Sequence, residues 1–203
     1  MLFTAVLDTC VLWPNSKRDF LLSLAVEGLY RPIWSERILA ELSAGLRRRD
    51  LSRGVDPKII DTRLDKLLTN LRVNFVDSSV SGWEMLEGKY QLPDPRDEHV
   101  VAVAEFAQAG VIVTENLKDF PEDKMPMGIV AQHPREFLLN AIHIDPQLVG
   151  QAVLAMSERS GRHGPKLDSY EYLEKMIRTF ELEEVRSFLR PHLMGDSSNQ
   201  STK

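Results

Sequence analysis

Four acidic residues stand where an apolar run gives way to a turn or a helix: Asp8, Glu41, Asp97 and Asp119. Asp8 closes the run Leu2 to Leu7, and Glu41 lies within Ile38-Leu39-Ala40-Glu41-Leu42. Asp97 opens a segment carrying Val100, Val101 and Val103, and Asp119 follows Val111 to Thr114. A carboxylate beside a core segment is costly unless its charge is compensated, so several that converge suit a hard cation with oxygen ligands.

Each acid also has a plainer explanation. Glu41 falls just outside the apolar arc of its helix, beside Ala44 and Gly45, where a solvated glutamate is ordinary. Asp94-Pro95-Arg96-Asp97 has the spacing of a helix start, with Asp94 as N-cap and Pro95 in the first turn. Asp119 precedes Phe120-Pro121 as a turn residue would, and Asn116 competes with it for a polar role. Asp8, directly after an apolar strand, has no capping explanation of equal quality.

Other chemistries lack their frameworks. Phosphate-loop, dinucleotide-loop and nucleophile-elbow signatures are absent, and His99, His133, His143, His163 and His192 show no paired metal-ligand spacing, so they read as surface or structural residues. The single cysteine, Cys10, excludes an internal disulfide and reads as a small packing residue. Arg47, Arg48, Arg49 and Arg53 form a basic cluster that suits either a helix C-terminus or phosphate contacts.

The elements that must position these residues alternate in type. Strand patterns at Leu2 to Leu7, Arg31 to Trp34, Val73 to Val76, Val111 to Thr114 and Gly128 to Ala131 are separated by helical patterns at Ser16 to Gly28, Ser35 to Arg49, from Asp56-Pro57 to Leu71, and Pro95 to Gln108. A short helix is expected within Ser81 to Gly88 and another from Pro134 to Asn140. Alternation of this kind predicts an α/β fold with a parallel central sheet flanked by helices. From Asp145 the pattern is helical only, so a domain over 1–144, a small helical extension over 145–194 and a disordered tail over 195–203 are expected.

With 203 residues, 43% hydrophobic and 27% charged, the chain fits one globular domain plus an appendage. No apolar run is long enough for a membrane span, and a soluble cytoplasmic protein without a membrane partner is expected. A net charge of −5 argues against broad electrostatic coating of nucleic acid but leaves room for a local basic patch.

Four stretches carry a resemblance: Val6-Leu7-Asp8-Thr9-Cys10-Val11-Leu12, Ile38 to Leu42, Asp94-Pro95-Arg96-Asp97-Glu98-His99-Val100 to Ala104, and Val113-Thr114-Glu115-Asn116-Leu117-Lys118-Asp119-Phe120. In order and span they resemble the acidic motifs of PIN-domain ribonucleases, especially VapC toxins with a helical C-terminal extension. The resemblance implies an endoribonuclease with a Mg²⁺ or Mn²⁺ site formed by Asp8, Glu41, Asp97 and Asp119, with Asn116 a second participant in the last motif. Thr9 and Thr114 then orient carboxylates, and Cys10 departs from the usual Asn or Ser. It also implies an RNA substrate, a protein antitoxin and a homodimer. Two alternatives stay open at this point: an RNA-processing PIN nuclease with no antitoxin, and a receiver-type Mg²⁺-binding switch, which would normally show two adjacent acids after its first strand.

Overall fold

The apolar run at the N-terminus forms β1 (Thr4–Leu7), whose Ala5, Val6 and Leu7 are fully buried. It is the middle strand of a five-stranded sheet in the order β3-β2-β1-β4-β5, with β2 at Arg31–Ser35, β3 at Ser79–Val80, β4 at Val111–Val113 and β5 at Val130–Gln132. All four pairings are parallel, with Val6 opposite both Ile33 and Ile112. The computed structural model describes residues 3–13, 15–161 and 165–193.

Strand order reverses between β1 and β4: β2 and β3 are added on one side of β1, β4 and β5 on the other. In open parallel sheets the crevice beyond the carboxyl ends of the strands at such a reversal is where chemistry is placed. Asp8 and Thr114, which follow β1 and β4, stand there. The ladder extends into this rim, since Asp8 N–H donates to Val113 O (3.1 Å) and Thr114 N–H to Gln132 O (3.0 Å).

The helices follow their sequence signals closely. After α1 (Thr9–Leu12) and α2 (Asn15–Val26), Ser35 caps α3 (Glu36–Ser52) by accepting from Ile38 N–H, and Asp56 with Pro57 starts α4 (Pro57–Asn74). α5 (Glu98–Phe106) packs against β1, β2 and β4, and every residue from Glu98 to Ala104 is buried. The carboxylate of Glu98 is satisfied there by N–H groups of Tyr90 (3.2 Å) and Leu92 (3.1 Å), which ties down the segment leading into Asp94.

One strand expectation fails. Val73 to Val76 is not a strand: α4 runs through Asn74, and residues 76–78 form a 3₁₀ turn before β3. Val73 and Val76 are 67% and 74% exposed, so these two apolar residues fill no core, whereas Leu71 on the buried face of α4 does. Residues 81–88 contain only a 3₁₀ turn over Glu84–Leu86, and the expected helix from Pro95 begins as a 3₁₀ turn before α5.

Contacts divide the chain into two compact units, Met1–Arg18 with Tyr30–Pro134, and Asp19–Leu29 with Arg135–Lys203. The division assigns most of α2 and of α6 (Pro134–Ile144) to the second unit, which therefore does not begin where the strand pattern ends. That unit also holds α7 (Pro146–Arg159), α8 (Ser169–Phe180) and α9 (Arg186–Leu189). Phe20 meets Tyr172 and Phe180 edge-on at centroid distances of 6.3 and 6.0 Å. Asp168 and Glu171 form a reciprocal capping box on α8. The expected tail over 195–203 lies outside the described residues.

Two glycines in helix interiors make opposite predictions. A Cβ on Gly150 would lie 2.7 Å from His192 O, whereas one on Gly45 would meet nothing within 4 Å. Gly150→Ala is therefore expected to destabilise by about 1–3 kcal/mol through overpacking, and Gly45→Ala to stabilise by about 0.5–1 kcal/mol through reduced backbone entropy. Urea unfolding of the two variants measures both.

Candidate metal centre

Three carboxylates converge beyond the strand ends. Asp94, Asp97 and Asp119, all half-buried, each place a ligand oxygen within 4.8 Å of the others. Asp94 caps the 3₁₀ turn at Pro95–Asp97 by accepting from Arg96 N–H (3.0 Å), and its carboxylate also receives the Arg96 guanidinium at 2.6 Å. That guanidinium holds the Asp94 carboxyl down at about 2. Asp119 ends the turn Leu117–Asp119 and accepts a bond from the Asn116 side-chain amide.

Asp97 makes no capping bond, and its carboxylate has no hydrogen-bond donor among the described residues. Burial, together with the charges of Asp8, Asp94 and Asp119, pushes it up to about 6, against an opposing pull from His99. Helix initiation thus accounts for Asp94 but not for Asp97.

Asp8 joins this group electrostatically. It is 8% exposed and accepts from Thr114 Oγ1 (2.7 Å) and from the Cys10 thiol (3.0 Å). Thr114 is fully buried, and its hydroxyl oxygen in turn accepts from Asn116 N–H (3.1 Å), so one residue orients Asp8 and anchors the backbone of the residue whose side chain bonds Asp119. Burial, with the charge of Asp8 next, pushes the Cys10 thiol up to about 12, which keeps it protonated as a donor. Cys10 is only partly buried and contributes a hydrogen bond as well as packing.

Glu41 lies outside the three-carboxylate group but is bound to its surroundings from several sides. Thr9 Oγ1 donates to it at 3.2 Å, Arg37 Nε at 3.4 Å, and His99 Nε2 lies 3.1 Å away. The last is a close polar contact with the ring N–H out of line rather than a well-formed hydrogen bond, since neither nitrogen of His99 has a partner of good geometry. Burial opposes the Glu41 charge, yet the contacts from His99, Thr9 and Arg37 outweigh it and hold the carboxyl below its usual range. Glu41 is therefore a partnered helix glutamate, although its side chain stays partly exposed.

The arginine cluster lies elsewhere. Arg47 pairs with Asp61, Arg49 with Asp50 (2.8 Å), and Arg48 and Arg53 are exposed. Among the described residues none of the four pairs with the acids of the centre.

Two participants escaped the sequence reading. Asp94 was accounted for by capping, yet its carboxylate is also one of the three that converge; the repeat Asp94-x-x-Asp97 was the available signal. His99, read as ordinary, is 1% exposed beneath the site. Its position inside the run from Glu98 to Ala104, a helix buried on all sides, was the signal.

Comparison with known proteins places the chain in a family. A family model described as PIN domain matches residues 4–118. The chain belongs to the PIN-domain family. A 62-residue stretch of the chain is 42% identical to the Mycobacterium tuberculosis (strain ATCC 25618 / H37Rv) protein named "Putative ribonuclease VapC50", covering 30% of this chain. The match spans 37% of that relative's length. No solved structure matches the chain. No helix among the described residues of this PIN protein is long and apolar enough to cross a membrane.

An oxygen-only donor set of clustered carboxylates, one of them raised by its neighbours, fits a hard divalent cation. Without metal, a predicted consequence follows from the sign of the Asp97 shift. Its carboxyl titrates near 6 folded against an ordinary 3.8, so protonation favours the folded state. The stability it contributes is complete below pH of about 4 and is lost as pH rises through about 6. In chelator, Asp97→Asn is expected to flatten that decline and to melt no lower than the parent protein at pH 7. Thermal melts across this pH range check it.

Proposed function

We propose that this PIN-domain chain is a metal-dependent endoribonuclease of the VapC toxin type. The observation that carries the reading is the convergence of Asp94, Asp97 and Asp119 within 4.8 Å, next to an Asp8 fixed by Thr114 and Cys10. In this reading Asp8, Glu41, Asp97 and Asp119 hold Mg²⁺ or Mn²⁺, and Asp94 joins them. Bound there, such a cation supplies an activated water for in-line attack on a phosphodiester and neutralises charge on the phosphate.

The protein's own residues do the rest. Thr114 and Cys10 direct the Asp8 carboxylate by donating to one of its oxygens, which leaves its other oxygen free for a ligand. Asn116 restrains Asp119, and Thr9 restrains Glu41. Arg96 balances the charge of Asp94 from the rim. The exposed Arg48 and Arg53, with Arg47 and Arg49, are suited to contacts with RNA phosphates away from the reacting bond.

The likeness to a relative named as a VapC ribonuclease supports RNA as substrate and a cognate protein antitoxin as partner. We further propose a homodimer, a cytoplasmic location, and a helical extension over 145–194 that is separate from catalysis.

Purified protein is expected to cleave RNA only with Mg²⁺ or Mn²⁺, and Asp8→Asn to abolish cleavage, because an amide holds a hard cation far less well than a carboxylate. Full cleavage in excess chelator contradicts this. Metal binding to the folded state alone should also stabilise it by about 2.7 kcal/mol at roughly a hundred times the dissociation constant, which a higher melting temperature reports. Asp97→Asn should lose most of that shift.

A further inference from the structure

His99 is the most deeply buried titratable side chain beside the acidic centre, at 1% exposure. It sits in α5 two residues after Asp97, with the Trp83 ring at a centroid distance of 6.0 Å. Nothing else among the described residues gives its ring a hydrogen bond of good geometry. A buried imidazole without hydrogen bonds is costly, so a close polar neighbour matters. That neighbour is Glu41 Oε1, 3.1 Å from Nε2.

Glu41 itself has a positional problem. It comes from α3, a different element from the aspartates, and its carboxylate is not among the three oxygens that already converge. Two contacts tie it to the site: Thr9, the neighbour of Asp8, donates from one side to Oε2, and His99, near Asp97, approaches Oε1 from the other. Arg37 also reaches Glu41, but it pairs with Glu87 too and is more than a third exposed, so it restrains weakly.

We propose that His99 is a positioning residue for Glu41, its buried Nε2–H holding that carboxylate in the orientation from which it serves the same cation as the aspartates. The inference rests on the metal reading given above. It requires the proton on Nε2, which the neutral ring supplies in one tautomer. Metal-free contacts of this kind are commonly out of line and tighten when the site is filled. The neighbouring acids then act together: Asp97 at the start of α5 and Glu41 on α3 are coupled through one rigid, buried ring.

The test compares His99→Leu, which keeps apolar bulk without a donor, with His99→Gln, whose amide can place an N–H near the position of Nε2. Each is also made in a Glu41→Gln background. Free Mn²⁺ is titrated by electron paramagnetic resonance, and melting in chelator is recorded alongside. His99→Leu is expected to weaken Mn²⁺ binding about ten- to a hundredfold, the usual effect of losing a group that orients a metal ligand. His99→Gln should restore most of it, and neither change should alter binding further once Glu41 is an amide. Unchanged Mn²⁺ affinity in His99→Leu, or an equal loss with and without the Glu41 carboxylate, overturns the proposal. Absence of Mn²⁺ binding by the parent protein would instead refute the metal reading. In that event the Glu41 carboxyl carbon, followed by nuclear magnetic resonance in chelator, decides the inference: a signal moved by His99→Leu and restored by His99→Gln supports it, and an unmoved signal overturns it.

Discussion

Repulsion among carboxylates is the constraint around which the first compact unit is arranged. Asp8, Asp94, Asp97 and Asp119 crowd one end of a parallel sheet, where each desolvated charge raises the cost of the next. The structure meets most of that cost locally, with Thr114 and Cys10 at Asp8, Arg96 at Asp94 and Asn116 at Asp119. Asp97 receives no donor among the described residues, and burial together with the charges of Asp8, Asp94 and Asp119 raises its carboxyl.

The scaffold makes such crowding tolerable by being rigid where it matters. β1 and β4 are adjacent and parallel at the point where strand order reverses, so Asp8 and Thr114 are fixed by backbone hydrogen bonds. α5 is buried from Glu98 to Ala104, and the Glu98 carboxylate accepts from two backbone donors at Tyr90 and Leu92. Asp94 and Asp97 therefore enter the site from a segment held at both ends.

Much of this was legible in the chain. The parallel α/β class follows from alternating patterns, and Ser35, Asp56-Pro57 and Asp94-Pro95 marked their helix starts because capping chemistry is local. Val73 to Val76 misled because an exposed valine in the last turn of α4 and another in the 3₁₀ turn after it have the composition of a strand, and composition does not report burial. The allocation of α2 to the second compact unit was invisible, since it depends on long-range contacts such as Phe20 with Tyr172 and Phe180. At the site, aspartates at strand and helix ends were readable one by one. The second role of Asp94 and the place of His99 were not, because a residue with a sufficient local explanation gives no sign of a further, spatial one.

The central claim is that these carboxylates form one cation site. Anomalous diffraction from crystals grown with Mn²⁺ tests it most directly, because it locates the ion without reference to activity. The account predicts a single strong peak coordinated by Asp97 and Asp119 oxygens, with Asp8 in direct or water-mediated contact. An absent peak at millimolar Mn²⁺, or an ion bound elsewhere with Asp97 and Asp119 not ligating it, would contradict it.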